Sequence, residues 1–139
     1  MSSPVVLITG ALTGIGRATA MAFANEGARV VVSGRHDVEG QKLAAELRKL
    51  GTEAEFVRTD VRHEEEVKSL VDKVIARFGR LDIAVNNAGT VGNPESVADA
   101  DTENYKAIFD TNVLGVLLSM KYEIRAMLRL STTIIGARR

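Results

Sequence analysis

The chain has 139 residues, of which 45% are hydrophobic, and this length and composition suit one domain with a single core. Eighteen basic residues balance eighteen acidic ones, so the charge gives no sign of a nucleic acid or a membrane surface as partner. The absence of cysteine excludes disulfides and thiolate metal sites, and the lack of a signal-peptide pattern or a membrane-length apolar run predicts a cytoplasmic protein.

Short runs rich in β-branched residues alternate with amphipathic runs at helical spacing, a pattern typical of βαβ units. In chain order the predicted strands are Val5–Thr9, Arg29–Ser33, Ala54–Thr59 and Leu81–Asn86, and the predicted helices between them are Ile15–Asn25, Val38–Leu50 and Glu64–Phe78. The first and fourth strands are apolar enough to be central strands buried on both faces. A loop over Ala88–Ala100 and one long helix over Thr102–Leu130 follow, and Ser131–Ile135 is a candidate fifth strand.

This alternation predicts an α/β fold, a doubly wound parallel sheet of Rossmann type with helices on both faces. The right-handed crossover rule gives the strand order 3-2-1-4, with the fifth strand beside the fourth if it forms. Residues 1–139 then form one domain. Ligands in such sheets bind beyond the carboxyl ends of strands 1 and 4, where the winding direction reverses.

Three glycines follow the first strand in the stretch LITGALTGIGRATA, at Gly10, Gly14 and Gly16. A glycine-rich turn before a helix lets the backbone approach a phosphate, which the free amides and the positive end of the helix then attract. The spacing is GxxxGxG without the GK[ST] ending of a P-loop, which excludes a nucleotide kinase or a GTPase. Taken by themselves, the three glycines would also fit a tight turn between strand and helix that binds no ligand.

The residue after the second strand indicates which dinucleotide would bind. Arg35 lies nineteen residues after Gly16, where a carboxylate would take the ribose 2′-hydroxyl and an arginine a 2′-phosphate. With Gly34 beside it, Arg35 favours NADP(H) over NAD(H). Asp37 is the competing carboxylate, although it more naturally caps the next helix. Alternatively, Arg35 is a solvated cation on the surface with no role in binding.

The chain resembles the short-chain dehydrogenase/reductase family of Rossmann-type oxidoreductases from Val5 to about Met127. Four segments carry the resemblance, and their order and separation make it specific: TGALTGIG (Thr9–Gly16), DV (Asp60 and Val61), NNAG (Asn86–Gly89) and the asparagine of FDTNVLG (Asn112). The family fold ordinarily continues through further strands and a substrate loop, so the resemblance implies that its C-terminal part is missing here. A boundary introduced by cloning, an altered reading frame and a natural short form would all give the same pattern.

The resemblance also implies roles for individual residues. The glycine-rich segment would line the pyrophosphate and adenosine ribose through Gly10, Thr13, Gly14, Ile15 and Gly16. Asp60 would accept a hydrogen bond from the adenine amino group, with Val61 packing nearby. Asn87, Ala88 and Gly89 would border the ribose on the adenosine side. Asn112 would be the active-site asparagine, which bends its helix and holds a water in the proton relay.

The catalytic serine, tyrosine and lysine of the family have no recognisable counterparts in this sequence. The family uses a serine after strand 5 and a tyrosine followed four residues later by a lysine, but Tyr105 is followed at that position by Phe109 and Tyr122 by Ala126. His36 and His63 are isolated, so no metal site is predicted.

These departures leave two functions open. The chain is the NADP(H)-binding part or short form of an oxidoreductase acting on an alcohol or carbonyl, or it is a catalytically silent nucleotide-binding or assembly module. A Rossmann-like methyltransferase would give no reason for Arg35, NNAG and Asn112 together. The helix over 102–130 carries apolar residues around much of its circumference and predicts a homo-oligomer. These residues are Ile108, Phe109, Val113, Leu114, Val116, Leu117, Leu118, Met120, Ile124, Met127 and Leu128.

Overall fold

The computed structural model describes the backbone of residues 3–136 and the side chains of residues 3–129. The strands are β1 (Val5–Thr9), β2 (Arg29–Gly34), β3 (Ala54–Arg58) and β4 (Ile83–Asn86), and the helices are α1 (Gly14–Asn25), α2 (Asp37–Lys49), α3 (Glu64–Phe78), α4 (Thr102–Phe109) and α5 (Gly115–Gly136). A single 3₁₀ turn, Val97–Asp99, lies in the loop after β4, and a π-helical segment, Asp110–Leu114, joins α4 to α5. Among the residues that the structure describes, none of the helices combines the length and the apolar character of a membrane span.

The four strands form a parallel sheet in the order β3-β2-β1-β4, which confirms the predicted topology. All of β1 is buried, because its side chains alternate between two apolar layers. Val6 and Ile8 pack with residues of α1 and α2. Val5 and Leu7 pack with residues of α3, and partly buried residues of α5 border the same layer. The helices therefore cover both faces of the sheet and leave the carboxyl ends of the strands open.

The fourth strand is less buried than its composition predicts. In the described sheet β4 pairs with β1 alone and forms an edge, and its four residues are only half-buried. The prediction of a central strand was wrong for the described residues, because burial on both faces depends on neighbours as well as on apolar side chains. The matching prediction for the first strand is confirmed.

The last part of the chain differs from the prediction in two ways. The long helix over Thr102–Leu130 is present, but the π-helical segment interrupts it. The candidate fifth strand, Ser131–Ile135, is wrong, since α5 continues as a helix to Gly136. Extending an existing helix adds one hydrogen bond per residue ordered, and this outweighs the strand preference of a short β-branched run.

Candidate functional site

A groove of about 650 Å³ opens at the carboxyl ends of the strands, where the strand order reverses. Most of the residues singled out from the sequence line it, namely Gly10, Thr13, Gly14, Ile15, Arg35, Asp60, Val61, Asn87, Ala88 and Gly89. Gly16 and Asn112 are not among the lining residues. The fold thus brings four sequence segments to one surface, as expected for ligand sites in sheets of this topology.

The glycine-rich turn packs closely against the end of β4. Gly10 has φ +61°, and a Cβ atom added there would lie 2.6 Å from the Cα of Ala88. The Asn87 side chain donates to the Gly10 carbonyl over 2.8 Å, and the Ala88 amide donates to the Thr9 hydroxyl over 3.2 Å. A side chain at Gly10 would therefore separate the two loops, and glycine is required there for both backbone conformation and space.

Helix α1 begins at the groove and directs its amino end into it. A Cβ at Gly16 would collide with the Gly10 carbonyl and the Asn87 side chain, so this glycine lets the helix start against the turn. Gly14 has φ +54° and open space around its Cα, so only its conformation calls for glycine. Thr13 makes no side-chain cap, which leaves amide groups of the first turn free to bind an anion.

At the end of β2 the groove carries an exposed cation. A Cβ at Gly34 would lie 2.6 Å from the Leu12 Cγ, so Leu12 occupies the space that a side chain at this position would need. Arg35 is exposed on the groove wall, and the described part of the chain offers it no hydrogen-bond acceptor or ion-pair partner. Asp37 is the first residue of α2 and makes no cap hydrogen bond, so its predicted capping role is not seen.

Asp60 lies at the far wall of the groove and is held by Arg62. The Arg62 Nη2 and Nε donate to its two carboxylate oxygens over 2.6 Å and 3.0 Å, and the Arg62 amide donates over 3.1 Å. These hydrogen bonds lower the pKa of Asp60 to about 2, although partial burial opposes the change. Asp60 is thus a fixed carboxylate acceptor, and Val61 beside it is buried against Val67 and Leu118.

Because the pKa of Asp60 is low, the unfolding free energy of the chain depends on pH in the acidic range. An unfolded aspartate titrates near 3.8, so the contribution of this ion pair is present above that pH and is lost as pH falls towards 2. We expect Asp60→Asn to lower the unfolding free energy at pH 7 by about 1.5–3 kcal/mol and to reduce the loss of stability between pH 4 and pH 2. Chemical denaturation across this pH range measures both effects.

Asp72→Asn is the matched control for this prediction. Asp72 pairs with Lys68 at the surface, where both side chains are at least half exposed, so its loss costs under about 1 kcal/mol. Equal effects of the two substitutions would contradict a special role for Asp60.

Asn112 lies in the π-helical segment and holds the loop after β4. Its Oδ1 accepts from the Thr90 amide over 2.8 Å, and its Nδ2 donates to the Thr90 carbonyl over 2.7 Å. Thr90 itself lines the groove. In this structure the side chain therefore acts on the groove through Thr90, and the helix deviates from α-helical geometry where Asn112 occurs.

Several groove residues were not identified from the sequence. They are Leu12, His36, Thr59, Arg62, Thr90, Ala107 and Thr111. Proximity to a predicted site residue was the available signal for all of these except Ala107, because each of the others is directly adjacent to such a residue in the sequence. His36 lines the groove without a metal site, since no cluster of three or more His, Asp or Glu side chains suited to a metal occurs in the part of the chain that the structure describes.

Neither tyrosine of the chain lines the groove. Tyr105 is exposed on α4 and its ring lies 4.5 Å from that of Phe109. Tyr122 lies on α5 and donates to the Glu64 carboxylate over 2.8 Å. This hydrogen bond raises the pKa of Tyr122, the opposite of the change that would activate a tyrosine for proton transfer. In this structure neither tyrosine is therefore placed within the groove.

Comparison with known proteins identifies the family. The sequence profile described as short chain dehydrogenase matches residues 4–136. The chain belongs to the short-chain dehydrogenase family. It is similar to the 3beta-hydroxysteroid dehydrogenase of Mediterraneibacter gnavus, with 36% identity over 123 residues that cover 88% of this chain and 45% of the relative.

Solved structures of the family superpose well on this chain. An NADH-dependent reductase, A1-R', in complex with NAD has a TM-score of 0.85 and 32% identity, and the match covers 97% of this chain and 56% of that one. An actinorhodin polyketide ketoreductase variant with NADPH has a TM-score of 0.85 and 37% identity, over 89% of this chain and 47% of that one. The chain spans about half the length of the curated relatives it matches.

Proposed function

We propose that this chain is the NADP(H)-binding part of a short-chain dehydrogenase and that residues 1–139 form one dinucleotide-binding domain. The parent activity would be hydride transfer between the nicotinamide cofactor and a small alcohol or carbonyl substrate. The unpaired, exposed Arg35 on the groove wall carries the proposal. Its planar guanidinium can donate two hydrogen bonds to a 2′-phosphate, whereas a carboxylate at the end of this strand would select NAD(H).

The geometry of the groove supports the binding of a dinucleotide. The close contacts of Gly10 and Gly16 and the open amides at the start of α1 make a cradle for a diphosphate. Asp60 would accept a hydrogen bond from the adenine amino group with Val61 packing beside it, and the ribose on the adenosine side would lie along Asn87, Ala88 and Gly89. Thr13, Gly14 and Ile15 complete the phosphate side. When bound, the cofactor supplies or accepts the hydride.

The choice between cofactors comes from this chain and not from its family. The two solved relatives described above hold NAD in one case and NADPH in the other. Arg35 would bind the 2′-phosphate, and Gly34 places no carboxylate against it. We therefore propose NADP(H) as the preferred cofactor, with NAD(H) bound more weakly.

Arg35→Ala tests this proposal. One charge-assisted contact to a phosphate is worth about 1.5–3 kcal/mol, which is about ten- to a hundredfold in affinity. We expect wild type to bind NADPH more tightly than NADH and the variant to lose that preference through weaker NADPH binding. Isothermal titration with both cofactors measures the change.

Lys42→Ala is the matched control for Arg35→Ala. Lys42 is an exposed cation on α2 outside the groove, so its removal changes the net charge equally without removing a phosphate partner. Equal affinities of wild type for the two cofactors, or an unchanged preference in Arg35→Ala, would contradict the proposed specificity.

A catalytically silent nucleotide-binding module is the second candidate function. The placement of both tyrosines away from the groove favours it, because the cofactor residues are assembled while no described tyrosine is available for proton transfer. The two functions share the cofactor groove and differ in turnover, which is measured by NADPH oxidation in the presence of carbonyl compounds.

We also propose that the chain self-associates through an apolar stripe on α4, the π-helical segment and α5. Phe109, Val113, Leu117, Met120 and Ile124 make up the stripe, and each is 45–63% exposed. Other apolar residues of the same region pack inward, among them Leu114, Leu118 and Met127. An apolar surface of this kind usually marks an interface, and a second copy of this helical region would cover it.

Sedimentation velocity tests the self-association. We expect a dimer or larger assembly at micromolar concentration and a shift towards monomer in Leu117→Glu, because burying an unpaired carboxylate in an interface is costly. Lys106→Glu, an exposed change on α4 outside the stripe, is the control. A wild-type chain that is cleanly monomeric at this concentration would contradict the proposal.

A further inference from the structure

A buried carboxyl group lies against the end of β4, outside the groove. Glu123 of α5 is only 3% exposed, and its Oε2 accepts from the Asn86 Nδ2 over 2.9 Å. The other oxygen of each group, Glu123 Oε1 and Asn86 Oδ1, is buried and has no hydrogen-bond partner among the described residues. Two buried acceptors without a donor are costly, so a hydrogen-bond donor placed between them would stabilise the pair.

A single proton would satisfy both oxygens. A carboxylic acid and a carboxamide are flat groups of matching size, and together they can form a ring of two hydrogen bonds. The amide N–H donates to one carboxyl oxygen, and the acid O–H donates back to the amide oxygen. The first of these bonds is present in the structure. A carboxylate would leave both orphan oxygens unsatisfied and would also bury a charge.

We propose that Glu123 is held as a neutral acid at neutral pH, that it forms a two-point pair with Asn86, and that this pair positions the end of β4 that carries the cofactor-binding residues. The effect of this pair on the cofactor-binding residues rests on the proposed function. Glu123 is a positioning residue, because it acts on the groove through Asn86.

The surroundings of Glu123 support a neutral acid. Burial raises its pKa, opposed only by the hydrogen bond from Asn86. On α5 itself, Lys121 and Tyr122 bond to Glu64 of α3, and the Arg125 guanidinium lies over the Tyr122 ring. None of these groups is a partner of Glu123 in the part of the chain that the structure describes.

The other elements packed against α5 are also without a countercharge for Glu123. On α3, Lys68 pairs with Asp72, and in the π-helical segment Asp110 pairs with Lys106. β4 itself has no ionisable side chain, and Asp82 just before it is bonded to Arg80. Among the described residues, no cation is placed to stabilise an ionised Glu123.

The path from Glu123 to the groove is short. Asn86 pairs with Thr9 across the sheet, at the last residue of β1 before the glycine-rich turn. The next residue, Asn87, donates its side-chain amide to the Gly10 carbonyl over 2.8 Å and to the Thr9 carbonyl over 3.2 Å. An altered position of Asn86 would therefore move Asn87 and, through it, the turn that lines the groove.

The protonation state is tested by carbon-detected NMR of the carboxyl groups in the labelled 139-residue chain, with Glu123→Gln used to assign the signal. We expect the Glu123 carboxyl carbon to have the chemical shift of a protonated carboxyl group at pH 7, because only the protonated form can donate to the Asn86 Oδ1. A carboxylate shift at pH 7 would overturn the proposal. This experiment needs no cofactor, so its failure is separate from failure of the proposed function.

The positioning role is tested with Glu123→Gln and Glu123→Ala. Glutamine can donate to the Asn86 Oδ1 and accept from its Nδ2, so it should keep the pair, whereas alanine removes it. We expect the amide signals of Gly10 and Asn87 to move in the alanine variant and to stay near their wild-type positions in the glutamine variant. NADPH affinity should fall about tenfold in the alanine variant and change less than about twofold in the glutamine variant.

The pH dependence of stability separates this role from simple packing and keeps the test valid if the alanine variant does not fold. A raised pKa in the folded state means that wild type loses stability as pH rises above the ordinary glutamate value, since the unfolded chain ionises first. We expect Glu123→Gln to match wild type near pH 4 and to become the more stable protein as pH rises. A constant difference across pH, or unmoved Gly10 and Asn87 signals in the alanine variant, would overturn the proposal.

Discussion

Purified chain of this sequence is expected to oxidise NADPH with ketones and aldehydes at a rate about 10²–10⁴-fold below that of a complete family member. General acid–base assistance contributes about that factor, and the groove holds no tyrosine to supply it. Tyr105 is exposed on α4, and Tyr122 is bonded to Glu64 with a raised pKa. The measurement is NADPH absorbance with a panel of carbonyl compounds, using protein whose mass matches the sequence.

Tyr122→Phe is the control for the turnover experiment. Because Tyr122 lies outside the groove, any residual rate should be the same in this variant. Robust turnover that Asn112→Ala abolishes would contradict the prediction. It would show that the proton relay uses other residues and that the chain is an enzyme in its own right.

The second large effect is expected at the contact between the two loops that form the groove. Gly10→Ala forces a Cβ to within 2.6 Å of the Ala88 Cα and also places a side chain on a backbone with φ +61°. Left-handed backbone costs a non-glycine residue about 1–2 kcal/mol, and forcing extra atoms into a packed site adds about 1–3 kcal/mol. We expect the unfolding free energy to fall by about 2–5 kcal/mol, measured by urea denaturation.

Gly14→Ala isolates the conformational part of this effect. Gly14 has a similar φ of +54°, but a Cβ there meets nothing within 4 Å. We expect a loss of about 1–2 kcal/mol, as for left-handed backbone alone. If the two alanine variants are equally stable, the close approach of Gly10 to Ala88 contributes nothing to the fold.

The first half of the chain follows its local patterns closely. The predicted helix Glu64–Phe78 has those bounds in the structure, and the first three strands end within one residue of their predicted limits. Each of these elements has a strong period and a clear boundary, so neighbouring residues carry the information. The glycine spacing and Arg35 were visible for the same reason, since they occupy fixed positions after strands.

The interruption of the long helix shows a feature that local sequence patterns do not predict. Apolar spacing over Thr102–Leu130 predicts one continuous helix, yet Asp110–Leu114 is π-helical. Asn112 bonds there to both backbone groups of Thr90, a residue in the preceding loop. A single asparagine in a helical pattern does not indicate this pairing, because the partner is a backbone group placed by the fold.

The alternating elements, the strand order and the segments that meet at the groove follow from local patterns in the sequence, because periodicity, turn residues and crossover handedness act over short stretches of chain. Three features are seen only in the folded chain: β4 is an edge of the described sheet, Arg62 holds Asp60, and Glu123 faces Asn86. Whether a carboxyl group meets an arginine, an amide or water depends on which surfaces pack together. That packing sets burial and hydrogen-bond partners, which lower the pKa of Asp60 and raise that of Glu123.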